Sequence, residues 1–303
     1  MDDEIIKLCK KAGIIAAQVR REGAQKLQKP GTSFLETMDF CEERILKLGG
    51  QIAWAQMAVN DVAAHFCPLE DDTSTSKEGD LIKIDIGVHI NGYIADNAMT
   101  VEVGKSTQHK DLIKAAQNAL RETIKIVRPG VTLTELGESQ MNQAQKLGFT
   151  TIRNLCGHTI EQYKVHGGIS IPTFANNDKR QIQEGMQIAI EPFITPGQGL
   201  VRDKGIPTIF MMKKNVSTRS LYAKKIVNEM AQLNGLPFTT RHLTRKFSKG
   251  QTALGLRDLE QQAAITKYPP LAEISGSPVA QFEHSMIVKE KPIVYTRHDE
   301  DEW

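Results

Sequence analysis

Two aspartates stand inside apolar, strand-like sequence: Asp85 between Ile84 and Ile86, and Asp96 after Ile94 and Ala95. Two glutamates stand in similar settings, Glu191 after Gln-Ile-Ala-Ile and Glu283 after Gln-Phe. Ionised carboxylates are seldom buried unless a partner or a metal neutralises them. Four converging at short range repel one another strongly. A pair of divalent ions about 3.5–4 Å apart, bridged by carboxylates, removes that repulsion. The competing reading pairs each acid with lysine or arginine, or leaves it at a solvated strand end. Of the eight histidines, His65, His158 and His166 lie in apolar or glycine-flanked settings. Such a histidine is by default a hydrogen-bonded core residue, but His158, just upstream of the Glu191 strand, is placed to enter a metal site. Four carboxylates and one imidazole suit Mn²⁺, Fe²⁺, Co²⁺ or Zn²⁺ without choosing among them.

The elements that must position these groups begin with Asn91-Gly92, the strongest short signal for a two-residue hairpin. With those two residues as the turn, position 90 pairs with 93, so Asp85 faces Ala98 and Asp96 faces Gly87. Both aspartates then share one face of the ribbon as diagonal neighbours, with backbones about 7–8 Å apart. Ile84, Ile86, Val88 and Ile90 cover the other face. Gly87 is expected to leave space beside Asp96 for an ion or substrate.

The chain also repeats itself, and repeats precede other fold arguments. Residues 29–50 align without gaps on 128–149; each copy reads as basic-Pro-Gly, an N-capped amphipathic helix and Lys-Leu-Gly. "EGDLIKID" at 78–85 matches "EGMQIAIE" at 184–191, setting Asp85 opposite Glu191. "ADNAMTV" at 95–101 matches "FEHSMIV" at 282–288, setting Asp96 opposite Glu283. The halves run roughly from 29 to 101 and from 128 to 288, with a helix over 110–128 linking them. The longer second half predicts a helical insertion near 213–272. The fold class is therefore α+β, a pseudo-twofold sheet with helices packed on it and a helical insert in the second half.

Composition is that of a globular chain: 303 residues, 40% hydrophobic and 24% charged, with a net charge of +2 that argues for no nucleic-acid partner by itself. The four cysteines show no CxxC pairing, which points to reduced thiols in a cytoplasmic protein. An acidic N-terminus does not read as a signal peptide, and no stretch reaches eighteen apolar residues, so no membrane span is expected. The acidic tail "RHDEDEW" reads as a solvated end. Gly-Lys-Ser at 104–106 is no phosphate loop, because Met99 stands where that pattern needs glycine. HExxH and GxSxG are absent.

The ordered set Asp85, Asp96, His158, Glu191 and Glu283, with "AAH" upstream and "AIEPF" and "QFEHSMIV" downstream, resembles the methionine aminopeptidases. The insert between the last two residues is similar to the type II form, and the short N-terminus to its archaeal members. The resemblance spans residues 3 to 295. It implies the "pita-bread" fold over 1–212 and 273–303, and a winged-helix-like inserted subdomain over 213–272. It further implies two divalent metal ions (Co, Mn, Fe or Zn) and release of initiator methionine from nascent chains whose second residue is small. Asp96 and Glu283 would bridge the metals; Asp85 would complete one shell, and His158 with Glu191 the other. Glu191 would also serve as general base toward the attacking water. His65 matches the histidine that interacts with substrate and tetrahedral intermediate, and His166 the one that contacts the scissile amide. Trp54, Val165 and Phe193 match walls of the methionine pocket.

The family's Pro-Ala-Phe-Pro run is replaced here by "IAWAQ" at 52–56, so Trp54 stands where phenylalanine is expected and the prolines are missing. Phe66-Cys67 follow His65 where Tyr-Thr is usual, and Gly167 follows His166 where alanine is usual. A non-enzymatic relative of the same fold, binding RNA or protein partners after losing ligands, is the alternative; all five ligand positions are filled here. A proline-directed peptidase of this fold is expected to carry a separate N-terminal domain. Residues 213–249 hold nine lysines or arginines against Glu229 alone, predicting a +8 face for ribosome contact through phosphates, with a solvated helix face as the plainer reading. The chain is expected to act as a monomer.

Overall fold

The computed structural model describes residues 2–213, 217–299 and 301. Seven α-helices are present among them: α1 (Asp3–Leu27), α2 (Phe34–Lys47), α3 (Lys110–Ile126), α4 (Leu133–Lys146), α5 (Leu221–Met230), α6 (Thr240–Thr244) and α7 (Lys249–Gln261). The duplicated caps work alike. Ser33 Oγ accepts from Glu36 N at 3.3 Å to start α2, and Thr132 Oγ1 accepts from Glu135 N at 3.4 Å to start α4. Glu135 reaches back to Thr132 N at 2.8 Å, completing a capping box. The helix over 110–126 is more than a link between the halves. It packs on α4 as α1 packs on α2, so the repeated unit is a helix pair and begins upstream of residues 29 and 128.

The central sheet contains β1 (Gln51–Val59), β2 (Leu81–Ile90), β3 (Tyr93–Glu102), β4 (Cys156–Ile160), β5 (Ser170–Pro172), β6 (Gln187–Ile190), β7 (Glu283–Ile287) and β8 (Ile293–Val294). Their order is β1-β2-β3-β7-β6-β4-β5, with β8 on β7. A pseudo-twofold axis runs between β3 and β7 and exchanges β2 with β6. It passes through the pair His284–Asn97, flanked by Glu283 opposite Ala98. On the other side Ser285 Oγ accepts from Asp96 N at 3.1 Å and donates to Asp96 O at 2.8 Å. These contacts lock the two copies at the positions that carry Asp96 and Glu283.

Each half has its own core on the sheet face away from the carboxylates. Ile84, Ile86 and Val88 pack with Ala12, Ile15, Ala16 and Val19 of α1 and Met38 and Ile45 of α2. Leu112, Ala116, Leu120 and Ile124 of α3 pack with Ile188, Ile190 and Met286. Hydrophobic burial on that face fixes which side of each strand turns to the other face, because side chains alternate.

The second half also contains a separate cluster in which Ala223, Ile226 and Met230 of α5 meet Leu243, Leu259, Phe210 and Phe238. A small antiparallel sheet of 238–239, 209–212 and 265–268 supports it. The +8 face counted from sequence is partly neutralised. Arg241 is fully buried and pairs with Glu42; Arg245 pairs with Asp39 at 2.7 Å and Glu70 at 2.8 Å; Lys246 pairs with Glu229 and Lys249 with Asp71. Lys213, Arg219, Lys224 and Lys225 are exposed, and Lys214 lies outside the described residues. A count along the chain could not see the acids that α2 and residues 70–71 bring to this surface. The acidic tail is also not simply solvated: both Asp301 carboxylate oxygens accept from Nη2 of buried Arg20, at 2.8 and 2.7 Å.

Arg241–Glu42 is a nearly dry ion pair between the second-half cluster and α2. Arg241→Ala leaves buried Glu42 with His242 at 3.1 Å and Arg245 at 3.9 Å, so unfolding stability should fall by about 1–3 kcal/mol in urea titrations. A loss below about 1 kcal/mol would show that the pair contributes little.

Candidate metal centre

Asn91 (φ 51°) and Gly92 (φ 83°) make the two-residue turn with positive φ at both positions. Ile90 pairs with Tyr93, Asp85 with Ala98 and Gly87 with Asp96, the register expected from sequence. Asp85 and Asp96 therefore share the cavity face. The space over Gly87, however, is filled: the Trp54 indole lies where a Cβ on Gly87 would approach it to 2.3 Å. That indole donates from Nε1 to Asp85 Oδ1 at 2.7 Å, and Gln56 Nε2 donates to Oδ2 at 2.7 Å.

The second copy completes the cluster. Glu283 enters from β7, opposite Ala98. Glu191 follows the last residue of β6 and accepts from Gln281 Nε2 at 3.5 Å. His158 Nε2 lies 3.5 Å from Asp96 Oδ2 and 3.6 Å from Glu191 Oε1, with Nδ1 3.3 Å from the Thr159 carbonyl. One ligand atom each from Asp96, His158 and Glu283 falls within 4.8 Å of the others.

Electrostatics shows what this cluster lacks. Removal from water, together with the Asp96 charge, pushes Asp85 up to about 7 despite its two N–H donors. Burial pushes Asp96 up to about 7 as well. Glu191 and Glu283 are held well above the usual carboxylate range, by burial first and by neighbouring acids second. His158 cannot neutralise them, since burial pulls its imidazole down to about 4. Asp96 Oδ1 and Glu283 Oε1 are buried with no hydrogen-bond partner. Crowded acids, orphaned acceptors and a neutral imidazole fit a divalent cation, which takes oxygen and nitrogen donors and displaces their protons.

The cluster lies in a cavity of about 210 Å³. All ten residues singled out from sequence border it: Trp54, His65, Asp85, Asp96, His158, Val165, His166, Glu191, Phe193 and Glu283. His65 sits at φ 66°, uncommon for a non-glycine residue, with Nδ1 unpartnered and its ring edge-on to Tyr268 at 5.4 Å. His166 stands edge-on to His158 at 4.6 Å. Sequence reasoning missed Gln56, Gln281 and Ser285, as well as Ile209, Met211, Pro237 and Tyr268, which wall the cavity from the second-half cluster and its flanks. Gln56 had one usable signal: it lies two positions from Trp54, on the same strand face.

A pseudo-twofold sheet that gathers four carboxylates and a neutral imidazole beneath a cavity is the architecture of a metallopeptidase centre. Residues 7–290 match the model of metallopeptidase family M24, and the chain belongs to that family, with its α+β pita-bread fold. It is similar to the methionine aminopeptidase of Pyrococcus horikoshii, 44% identical over 288 residues that cover 94% of this chain and 97% of that one. A methionine aminopeptidase structure from Thermotoga maritima matches with TM-score 0.72 at 21% identity, covering 98% of both chains. A thermophilic Arx1 matches with TM-score 0.87 at 14% identity, covering 100% of this chain and 93% of that one. The two structural likenesses concern the fold alone.

Protons and metal compete for Asp85 and Asp96, while His158 is already neutral above pH 5. Metal affinity should therefore rise as pH increases from 5.5 to 7.5, by about tenfold or more, with proton release on binding. Calorimetric titration of Mn²⁺ in buffers of different ionisation enthalpy measures both; a flat affinity with no proton release contradicts the assignment.

Proposed function

We propose that this chain is a dimetal methionine aminopeptidase that releases the initiator methionine from nascent chains and peptides when the second residue is small. The observation that carries the reading is the crowded set of Asp85, Asp96, Glu191 and Glu283 with neutral His158 on one cavity floor. Membership of a metallopeptidase family and the named relatives support it. Asp85, Asp96, His158, Glu191 and Glu283 would hold the ions: Asp96 and Glu283 would be shared between them, Asp85 would serve one, and His158 with Glu191 the other. Two divalent ions, Co, Mn, Fe or Zn, lower the pKa of water and polarise the substrate carbonyl when bound.

The chain's own groups carry the remaining steps. Glu191, partly open to the cavity, takes the proton from the attacking water and returns it to the leaving amine. His65, with Nδ1 free of intramolecular partners, donates toward the developing oxyanion. His166 contacts the scissile amide. Trp54, Val165 and Phe193 hold the methionine side chain in the apolar part of the cavity.

On this reading residues 1–212 and 273–303 form the catalytic domain, and 213–272 an inserted winged-helix-like subdomain. Its separate apolar cluster and small sheet support that division. Among the described residues no helix is long and apolar enough to cross a membrane, and the proposed setting is the cytoplasm, with the chain acting as a monomer.

The metal-reconstituted chain should release methionine from Met-Ala-Ser far faster than from Met-Leu-Ser or Pro-led peptides. Glu191→Ala should cut turnover by about 10²-fold or more with the fold preserved by circular dichroism. No release with any of Mn²⁺, Fe²⁺, Co²⁺ or Zn²⁺ would favour a binding protein of the same fold. Ribosome contact through the 213–249 segment now rests on Lys213, Arg219, Lys224 and Lys225. Reversing these four charges should weaken ribosome co-sedimentation and flatten its salt dependence; unchanged sedimentation eliminates the contact.

A further inference from the structure

We infer that Trp54 is a positioning residue for the metal centre: its indole N–H, seated on Gly87, fixes the carboxylate of Asp85. The inference rests on the reading of Asp85 as a metal ligand.

Trp54 is 9% exposed, so the ring is held by its surroundings rather than by solvent. It can lie against β2 only because residue 87 has no side chain. A Cβ there would meet indole Cδ2, Cε2 and Cε3 at 2.3, 2.4 and 2.6 Å. A shift of register between Ile52 and Trp54 on β1 sets Trp54 opposite Gly87 and Gln56 opposite Asp85. The ring's single donor then meets Asp85 Oδ1 at 2.7 Å, while Gln56 holds Oδ2 at the same distance. With one donor on each oxygen the carboxylate cannot rotate without breaking a charge-assisted bond. Each oxygen keeps a further lone pair for a cation.

A wall residue needs only bulk, which phenylalanine supplies. The aimed N–H and the glycine cut away beneath the ring are what a wall does not require. Hydrogen-bond partners of metal ligands contribute about 10–100-fold to metal affinity. The methionine-pocket wall and the ligand clamp would thus be one side chain, joining substrate fit to metal retention.

The test is calorimetric titration of Mn²⁺ into the full chain stripped of metal, for the unmodified protein, Trp54→Phe, Gly87→Ala and the double variant. Trp54→Phe keeps a ring but loses the donor, and should bind Mn²⁺ about 10–100-fold more weakly at unchanged circular dichroism. Gly87→Ala keeps the donor but displaces it, and should weaken binding similarly. The double variant should be little worse than either single one, because both act through one hydrogen bond. Trp303→Phe provides a second readout, since Trp54 is then the sole tryptophan. Zn²⁺, a filled-shell ion, should shift its emission on binding. Wild-type Mn²⁺ affinity in Trp54→Phe, or silent Trp54 emission on Zn²⁺ loading, overturns the positioning role alone. Failure of the unmodified chain to bind Mn²⁺ overturns the metal reading, and this inference with it.

Discussion

Burial of four carboxylates, Asp85, Asp96, Glu191 and Glu283, made costlier by their repulsion, is the constraint around which the molecule is arranged. Four acids with little water and no lysine or arginine salt bridge among the described contacts hold protons at pH values where free carboxylates do not. Such a cluster opposes folding and survives only because the rest of the sheet is stable enough to impose it. Two apolar cores on the opposite face, one per half, provide that stability.

The pseudo-twofold is the geometric means of gathering the acids. A single hairpin brings two carboxylates to one face; a second copy, joined edge to edge through β3 and β7, brings two more. The seam is fixed at the positions where spacing matters. Ser285 holds both backbone groups of Asp96, and Glu283 lies opposite Ala98. A one-residue slip there would turn a ligand to the helical side, where Ile84, Ile86 and Met286 are packed. The register is therefore protected by hydrophobic burial rather than by the acids themselves.

Asymmetry between the halves supplies what symmetry cannot. Among the described residues the cluster built from α5, α6 and α7 belongs to the second half alone, and Met211, Pro237 and Tyr268 beside it line the cavity. Tyr268 meets His65 edge-on, so the histidine with strained backbone is braced by the region that the first half lacks. The Arg241–Glu42 pair ties this region back to α2. The region that borders the cavity is thus tied to α2 by a contact between residues 199 positions apart.

The hairpin register, the shared face of Asp85 and Asp96, the duplicated helix caps and the correspondence of Asp85 with Glu191 and of Asp96 with Glu283 are legible in the residues alone. Each follows from local rules: turn chemistry, side-chain alternation and cap preferences act within a few residues and leave a readable trace. What fills the space over Gly87, which acids neutralise the basic segment, and where Asp301 goes became visible in the folded chain. These depend on which strands become neighbours and which surfaces meet, and one sequence carries no direct record of either. The clearest case is Trp54. Its type read as a pocket wall, yet its N–H finds Asp85 because β1 shifts register beside β2. That shift arises from the packing of two strands, and no spacing within either one announces it.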